Sequence, residues 1–526
     1  MLLFKNNIKP YLFIILATGL LYLWQCYQYP MINPDGVIYL ESAAAYLTGG
    51  VKAVLAFDAQ AKWPFYSICI AYMHIITGAS IPVAERLLDG SFIILTACIF
   101  LYLTRLFSPH KSAYFWGSII WLTWHAYVKW WPEVVRDHGF MASLLLSVFC
   151  YYRFILTQRF SWALAWSLSI FLAEAFRIEA VLYLIFVPFS ILLLKNSRFS
   201  RRCCLWLKLN FLSIIFMLIL GILFFEQVLS LHSLRFAYIG EEFSGFYVMV
   251  ADRFMQSLQL MHAQIFYREN DFVAYALIAS YVVVFFGYMI AQVSLAALPP
   301  LFFIRRAWRH LNPLIVHPAF FVYFAVATIT PLLFFVEHAF LNGRYLLPLG
   351  FLSLLFVASS LPCIIDALIG KKKIYFIVLL GLLLLINATA NVFRFGHQAE
   401  EDYIVGNWLK KHYPEQTVFT NVRGIFFYTH KTLGDRDVVY QVASPEMGAE
   451  WLRQHDAWCQ YDVLVMMTSA DKAHELRQIF VQFQRKNALG PISKSFIRTS
   501  NHQEIFVASI NAAGCKKLVD SHASLT

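Results

Sequence analysis

The sequence predicts a polytopic α-helical membrane protein of about eleven spans, followed by a C-terminal extracytoplasmic α/β domain. Three observations carry this. Hydrophobic residues make up 60% of the 526-residue chain and charged residues only 14%, against about a quarter charged in soluble domains. The apolar residues gather in runs of bilayer-spanning length, about 20 residues each. The charge excess is confined to the first part of the chain. From Gly396 to Thr526 there are 14 basic and 14 acidic residues, which leaves 28 basic and 17 acidic residues before it. The net charge of +11 therefore reads as topology-setting loop charge, and no nucleic-acid partner is expected. The domains are expected at 1–395 and 396–526.

The apolar runs lie near 11–29, 87–107, 113–130, 139–156, 162–176, 179–194, 209–230, 272–303, 316–336, 345–366 and 374–394. The first lacks a small-residue cleavage pattern and is too long for the core of a signal peptide, so it is read as an uncleaved span. Phe65 to Thr77 is apolar but short, which suits an interfacial or half-membrane helix. Phe, Tyr and Trp reach 17%, as aromatic belts at membrane interfaces require.

Loop charges orient the spans. The loops at one side hold Lys5, Lys9, Arg105, Lys111, Arg153, Arg159, Lys195, Arg198, Arg201, Arg202, Lys208, Arg305, Arg306, Arg309, Lys371, Lys372 and Lys373, without an acid. Asp366 is the one acid near that side. Basic loops stay in the cytoplasm. The N-terminus is thus expected inside, the protein in the inner (plasma) membrane, and, with an odd number of spans, the terminal domain outside. That domain alternates helical and strand-like patterns. Strands are expected over Thr417–Thr420, Val438–Val442, Asp462–Met467 and Glu504–Ile510, and helices over Glu400–His412, Pro445–Gln454 and Asp471–Gln484. Most of the nine cysteines sit in apolar runs and read as packing residues. Cys459 and Cys515 lie in the terminal domain, where sequence leaves them either paired or free.

The residues that could do chemistry lie on the outer side. Asn33-Pro34-Asp35-Gly36 breaks the chain after the first span, ahead of an apolar segment suited to the membrane interface. Asp35 reads either as an N-cap or as a general base. Glu133, Arg136 and Asp137 cluster before the fourth span at spacings that share a helical face. They read as a functional acidic group or as an interfacial anchor with Trp130 and Trp131. Glu174, Arg177 and Glu179 lie near membrane depth, where charges are costly unless paired or functional. Lys62 and Arg344 are bases on the outer side, and Lys and Arg are the phosphate-binding side chains. The alternative for both is contact with lipid headgroups.

The segments PDGVIYLESAAAYLTGG, KWPFYSICIAYMHIITG followed by VAERLLDG, PEVVRDHGFMASLLLS, FRIEAVLYLIF and GRYLLPL together resemble the GT-C superfamily of membrane glycosyltransferases. The chain is most similar to the branch of protein O-mannosyltransferases and the lipid A aminoarabinose transferase. The resemblance runs over most of the membrane part. It implies a polyprenyl-phosphate-linked sugar donor and inverting transfer on the outer face to a glycan, glycolipid or protein acceptor. On this resemblance Asp35 matches the proposed base, and Asp137, with Glu133 competing, the second acidic position. Lys62 matches a phosphate-contacting lysine, although Trp63 separates it from Pro64, unlike the pattern. Arg344 and Tyr345 match the span entrance near the phosphate, and Arg136 is the further substrate-binding candidate. The chain lacks a clear DxD pair, so no cofactor is expected and no divalent metal is indicated. The alternatives are a multi-pass transporter, which would predict repeated halves with a site near the midplane, and a non-catalytic envelope-glycan assembly protein on the same fold.

Overall fold

The computed structural model describes residues 8–57, 63–194, 198–225, 248, 251–263, 270–293, 311, 313–338, 340–370, 374–393, 400–429, 457–469, 472–498, 503–511 and 513–515. The protein is a polytopic α-helical membrane protein with a separate strand-containing domain. Among the described residues eight helices are long and apolar enough to cross a membrane. They are α1 (Ile8–Gln28), α4 (Ile81–Phe107), α7 (Asp137–Thr157), α11 (Phe199–Phe225), α12 (Asn270–Val293), α13 (Pro318–His338), α14 (Leu347–Gly370) and α15 (Ile374–Val392). Between them lie α2 (Pro34–Phe57), α3 (Phe65–Thr77), α5 (Ala113–Leu122), α6 (His125–Val128), α8 (Phe160–Phe176), α9 (Ala180–Phe186) and α10 (Phe189–Leu192). The apolar runs 113–130, 162–176 and 179–194 thus appear as shorter helices. In the third, Pro188 stands between α9 and α10, where its ring blocks the helical hydrogen bond.

Packing divides the chain into two compact units. The first contains residues 1–25, 89–131 and 136–393, and the second residues 26–88, 132–135 and 394–526. In the first unit α7 and α14 are buried along most of their length, while Leu16, Leu20 and Leu23 of α1 stay exposed, as a lipid-facing stripe must. The buried helices are tied by the few polar groups they carry. The Trp166 indole donates to Tyr323 Oη at 2.9 Å, and Trp121 donates to Thr18 Oγ1 at 3.0 Å. In hydrocarbon such partners replace water.

The charges of the first unit separate along its helices. At the Thr157 end of α7, Arg153 stacks on Trp162 at 5.3 Å, Arg201 donates to Gln158 at 3.0 Å, and Arg202 donates to the Leu192 carbonyl at 2.9 Å. Asp366, the acid assigned to this side, lies 3.7 Å from His110. At the other end of α7 sits Asp137. The 21 residues of α7 carry the chain about 30 Å, one hydrocarbon thickness.

In the second unit the described residues of the terminal domain form a four-stranded sheet in the order β1-β2-β4-β3, with β1 (Val418–Thr420), β2 (Val463–Thr468), β3 (Leu489–Arg498) and β4 (Gln503–Ile510). β1 runs parallel to β2, and β4 is antiparallel to both of its neighbours. The period of two is visible in β2. Leu464 and Met466 face α18 (Ala473–Arg485), while Val463, Val465 and Met467 face α16 (Glu400–His412) and α17 (Arg423–Thr429). A sheet covered on both faces needs apolar residues at every position of its central strand, and β2 is buried throughout. α18 answers with Leu476, Ile479, Phe480 and Phe483, the stripe of an amphipathic helix. Cys459 and Cys515 are joined by a disulfide, with Cα atoms 5.7 Å apart. The expected strand at Val438–Val442 and helix at Pro445–Gln454 lie outside the described residues.

Candidate functional site

Arg177 organises the charged end of the first unit. α8 ends at Arg177, whose backbone is extended, and Glu179 precedes α9, so the turn between two helices presents both side chains. The guanidinium binds Glu179 through two hydrogen bonds, of 2.5 and 3.3 Å, and binds Asp137 at the start of α7 through its Nη1. Its flat face lies over the Tyr345 ring at 4.7 Å. A fork with two carboxylates and an aromatic face is geometry that Arg provides and Lys does not. Arg177 is 5% exposed, and a charge at that depth is stable only when paired this way.

Two further cations join. Arg344 lies over the same tyrosine ring at 5.5 Å, and both Arg344 and Arg136 act electrostatically on Asp137. Arg344 is placed by a short 3₁₀ turn, Gly343–Leu346, whose cap residue Asn342 accepts the Arg344 N–H at 3.2 Å. Within this cluster three guanidiniums stand with two carboxylates. Beside Arg177 opens a pocket lined by the polar Glu179 and Tyr345 and by the apolar Phe140, Pro331, Phe334 and Pro348. The arrangement sets charged and apolar side chains side by side.

One layer further in, His138 follows Asp137 on α7. Its Nε2 lies 3.1 Å from the Trp130 carbonyl and 3.8 Å from Asp89, and its Nδ1 lies 3.3 Å from the Tyr127 hydroxyl. This ties the segment before α7 to the helix. Nothing in the spacing of Asp89, Tyr127 and His138 announces it.

Asp35 and Glu133 belong to the second unit. α2 begins at Pro34, so Asn33 holds the cap position and Asp35 is the second helical residue. The N-cap alternative for Asp35 is therefore replaced by Asn33, with Pro at the first helical position, where its missing N–H costs nothing. Asn33 makes no local cap. Its side chain spans to Val134, accepting from the peptide N–H at 2.8 Å and donating to the carbonyl at 3.3 Å. These bonds correct a second expectation. Glu133 does not share a helical face with Asp137, because α7 starts only at Asp137 and residues 134–135 are non-helical. Pro132, two β-branched valines and the Asn33 clamp favour extended chain there.

The Asp35 segment is held from other directions as well. Arg86 donates to the Pro132 carbonyl and, at 3.4 Å, to that of Met31. Gly36 packs so closely that a Cβ added there would lie 2.6 Å from Val134 Cβ. Asp35 itself is half-buried. The structure thus gathers Arg136, Asp137, Arg344 and Tyr345 around Arg177 in one unit and places Asp35 and Glu133 in the other. Lys62 lies outside the described residues. Among the described residues no group of His, Cys, Asp and Glu is arranged to hold a metal ion. No family model matches the chain, and no curated protein matches it in sequence.

Proposed function

We propose that the protein is a membrane glycosyltransferase that moves a sugar from a polyprenyl-phosphate donor to an envelope glycan, glycolipid or protein acceptor on the outer face of the membrane, with inversion. The observation that carries this reading is the positive, aromatic-backed cluster of Arg177, Arg344 and Arg136 with Tyr345, set beside an apolar pocket at one end of the helices. A donor with a phosphate at the membrane surface and a lipid tail asks for those two surroundings together. Arg177 is bound by Asp137 and Glu179 and acts as the frame. Arg344, half-buried, is the cation offered to the leaving phosphate, where charge develops as the glycosidic bond breaks.

Asp35 is assigned as the base that takes the acceptor hydroxyl proton as that oxygen attacks the anomeric carbon. Asp137, bound to Arg177, holds the frame, and Glu133 is the competing acid. The basic loops assign the N-terminus to the cytoplasm and the terminal domain to the outside, and the Cys459–Cys515 bond supports the latter, since disulfides persist in oxidising compartments. The test is release of polyprenyl phosphate by the purified protein, in lipid nanodiscs, from a panel of polyprenyl-phosphate monosaccharides with envelope acceptor fractions. Release from at least one donor, lost in Asp35→Asn, supports the reading. No release from any donor, with envelope glycans unchanged in a deletion strain, overturns it.

A further inference from the structure

The chain between α1 and α2, residues 29–33, is non-helical, yet Tyr29, Met31 and Ile32 are buried. Buried backbone outside a helix must find partners for its polar groups. The Met31 carbonyl has Arg86. The Ile32 N–H donates to the hydroxyl of Tyr428, at 2.7 Å, across 396 residues of sequence. Asn33, next along, is clamped to Val134. Asp35 follows two residues later, within the first turn of α2.

Tyr428 is itself a fixed point. It sits on α17 in the terminal domain, and its ring meets the Tyr403 ring edge-on at 5.1 Å. α16 approaches so closely that a Cβ on Gly406 would lie 2.4 Å from Tyr428 Cβ. Burial pushes the Tyr428 hydroxyl up to about 12, so it stays a neutral acceptor throughout the physiological range.

We propose that Tyr428 is a positioning residue for Asp35: the terminal domain reaches into the first loop, fixes the Ile32 peptide with a single hydroxyl, and so sets where the candidate base stands. This rests on the assignment of Asp35 as the base. It makes the terminal domain part of the machinery of transfer.

Tyr428→Phe is the test, since it keeps the ring and removes one oxygen. Membrane insertion and the Cys459–Cys515 bond report that the variant folds. Hydrogen–deuterium exchange of the 31–37 backbone should quicken in Tyr428→Phe while β2 and β4 exchange as before. Transfer should lose roughly 2–10-fold in kcat, the worth of one neutral hydrogen bond, with the donor KM unchanged. In the Asp35→Asn background the same substitution should cost nothing further, because coupled residues are not additive. Unchanged exchange at 31–37, or an equal loss with and without Asp35, overturns the proposal. A wild-type protein that uses no lipid-linked donor overturns the glycosyltransferase reading instead, and the exchange result then decides alone whether Tyr428 holds this segment.

Discussion

The Arg177 guanidinium rests on the Tyr345 ring at 4.7 Å while Asp137 and Glu179 bind its nitrogens. One side chain therefore joins the start of α7, the α8–α9 turn and the entrance to α14. Removing it leaves the buried Asp137 carboxylate and the half-buried Glu179 carboxylate without their shared cation. Breaking a buried pair from one side costs about 3–5 kcal/mol, so Arg177→Ala should lower the thermal unfolding temperature of the detergent-solubilised protein markedly. Arg177→Lys should recover only part of the loss, since an ammonium cannot fork. An Arg177→Ala protein as heat-resistant as wild type would contradict the frame role.

Arg344 should behave differently. It is half-buried and is assigned to the leaving phosphate. Losing one charge-assisted contact costs about 1.5–3 kcal/mol, or roughly 10–150-fold in donor use. Arg344→Ala should show that loss in kcat/KM with nearly normal stability. Equal kinetics at all donor concentrations would place Arg344 against lipid headgroups.

The ring under both arginines can be tested apart from its hydroxyl. Tyr345→Phe keeps the aromatic face and should leave stability near wild type. Tyr345→Leu removes the face and should cost about 0.5–2 kcal/mol, the range of cation–π contacts. Indistinguishable unfolding curves for the two variants would remove the ring from the account.

Asp35→Asn is the decisive substitution for the chemistry. Asn33 holds the cap position, so the change leaves the helix start intact. Transfer should fall by about 10²–10⁴-fold, the usual worth of general base catalysis, with insertion and donor binding retained. Wild-type transfer would pass the role to Glu133 or Asp137.

Gly36→Ala tests the clamp from its other side. The new Cβ would meet Val134 Cβ at 2.6 Å, and overpacking of this kind costs about 1–3 kcal/mol. The expected outcome is lower stability together with faster proteolysis of the 31–37 segment. An unaffected protein would show that the first loop is not held against Val134.

Much of this architecture is legible in sequence. Phe65–Thr77 and Glu400–His412 are helices over the very residues that hydropathy and amphipathic spacing mark out, because local pattern alone sets such ends. The helix over 473–485 and the strands over 418–420, 463–468 and 503–510 also follow the pattern to within a few residues. The strand Leu489–Arg498 escapes notice, since Gly490 and Pro491 near its start interrupt the apolar alternation. So does α17, seven residues long and too short to show a face. The run 272–303 contains α12, described over Asn270–Val293, and the Gln292 side chain stands against Gly343, a docking that apolar length does not announce.

The site is less legible for a related reason. Arg177 and Glu179 stand out because charge near membrane depth is costly, and an Arg177–carboxylate pair is one of the readings sequence allows. That Asp137 completes the pair depends on 40 residues of intervening chain. The separation of Glu133 from Asp137 is hidden because their spacing suits a helix, while Pro132, two valines and the clamp from the distant Asn33 favour extended chain.

The Ile32–Tyr428 bond also imposes an order in time. Ribosomes add about 5–20 residues each second, so roughly 20–80 s separate the synthesis of Ile32 from that of Tyr428, its partner 396 residues on. During that interval the amide of Ile32 waits without its hydroxyl. The loop carrying Asp35 thus leaves the ribosome well before the residue that completes it, and a chain arrested anywhere between Ile32 and Tyr428 leaves that loop unfinished.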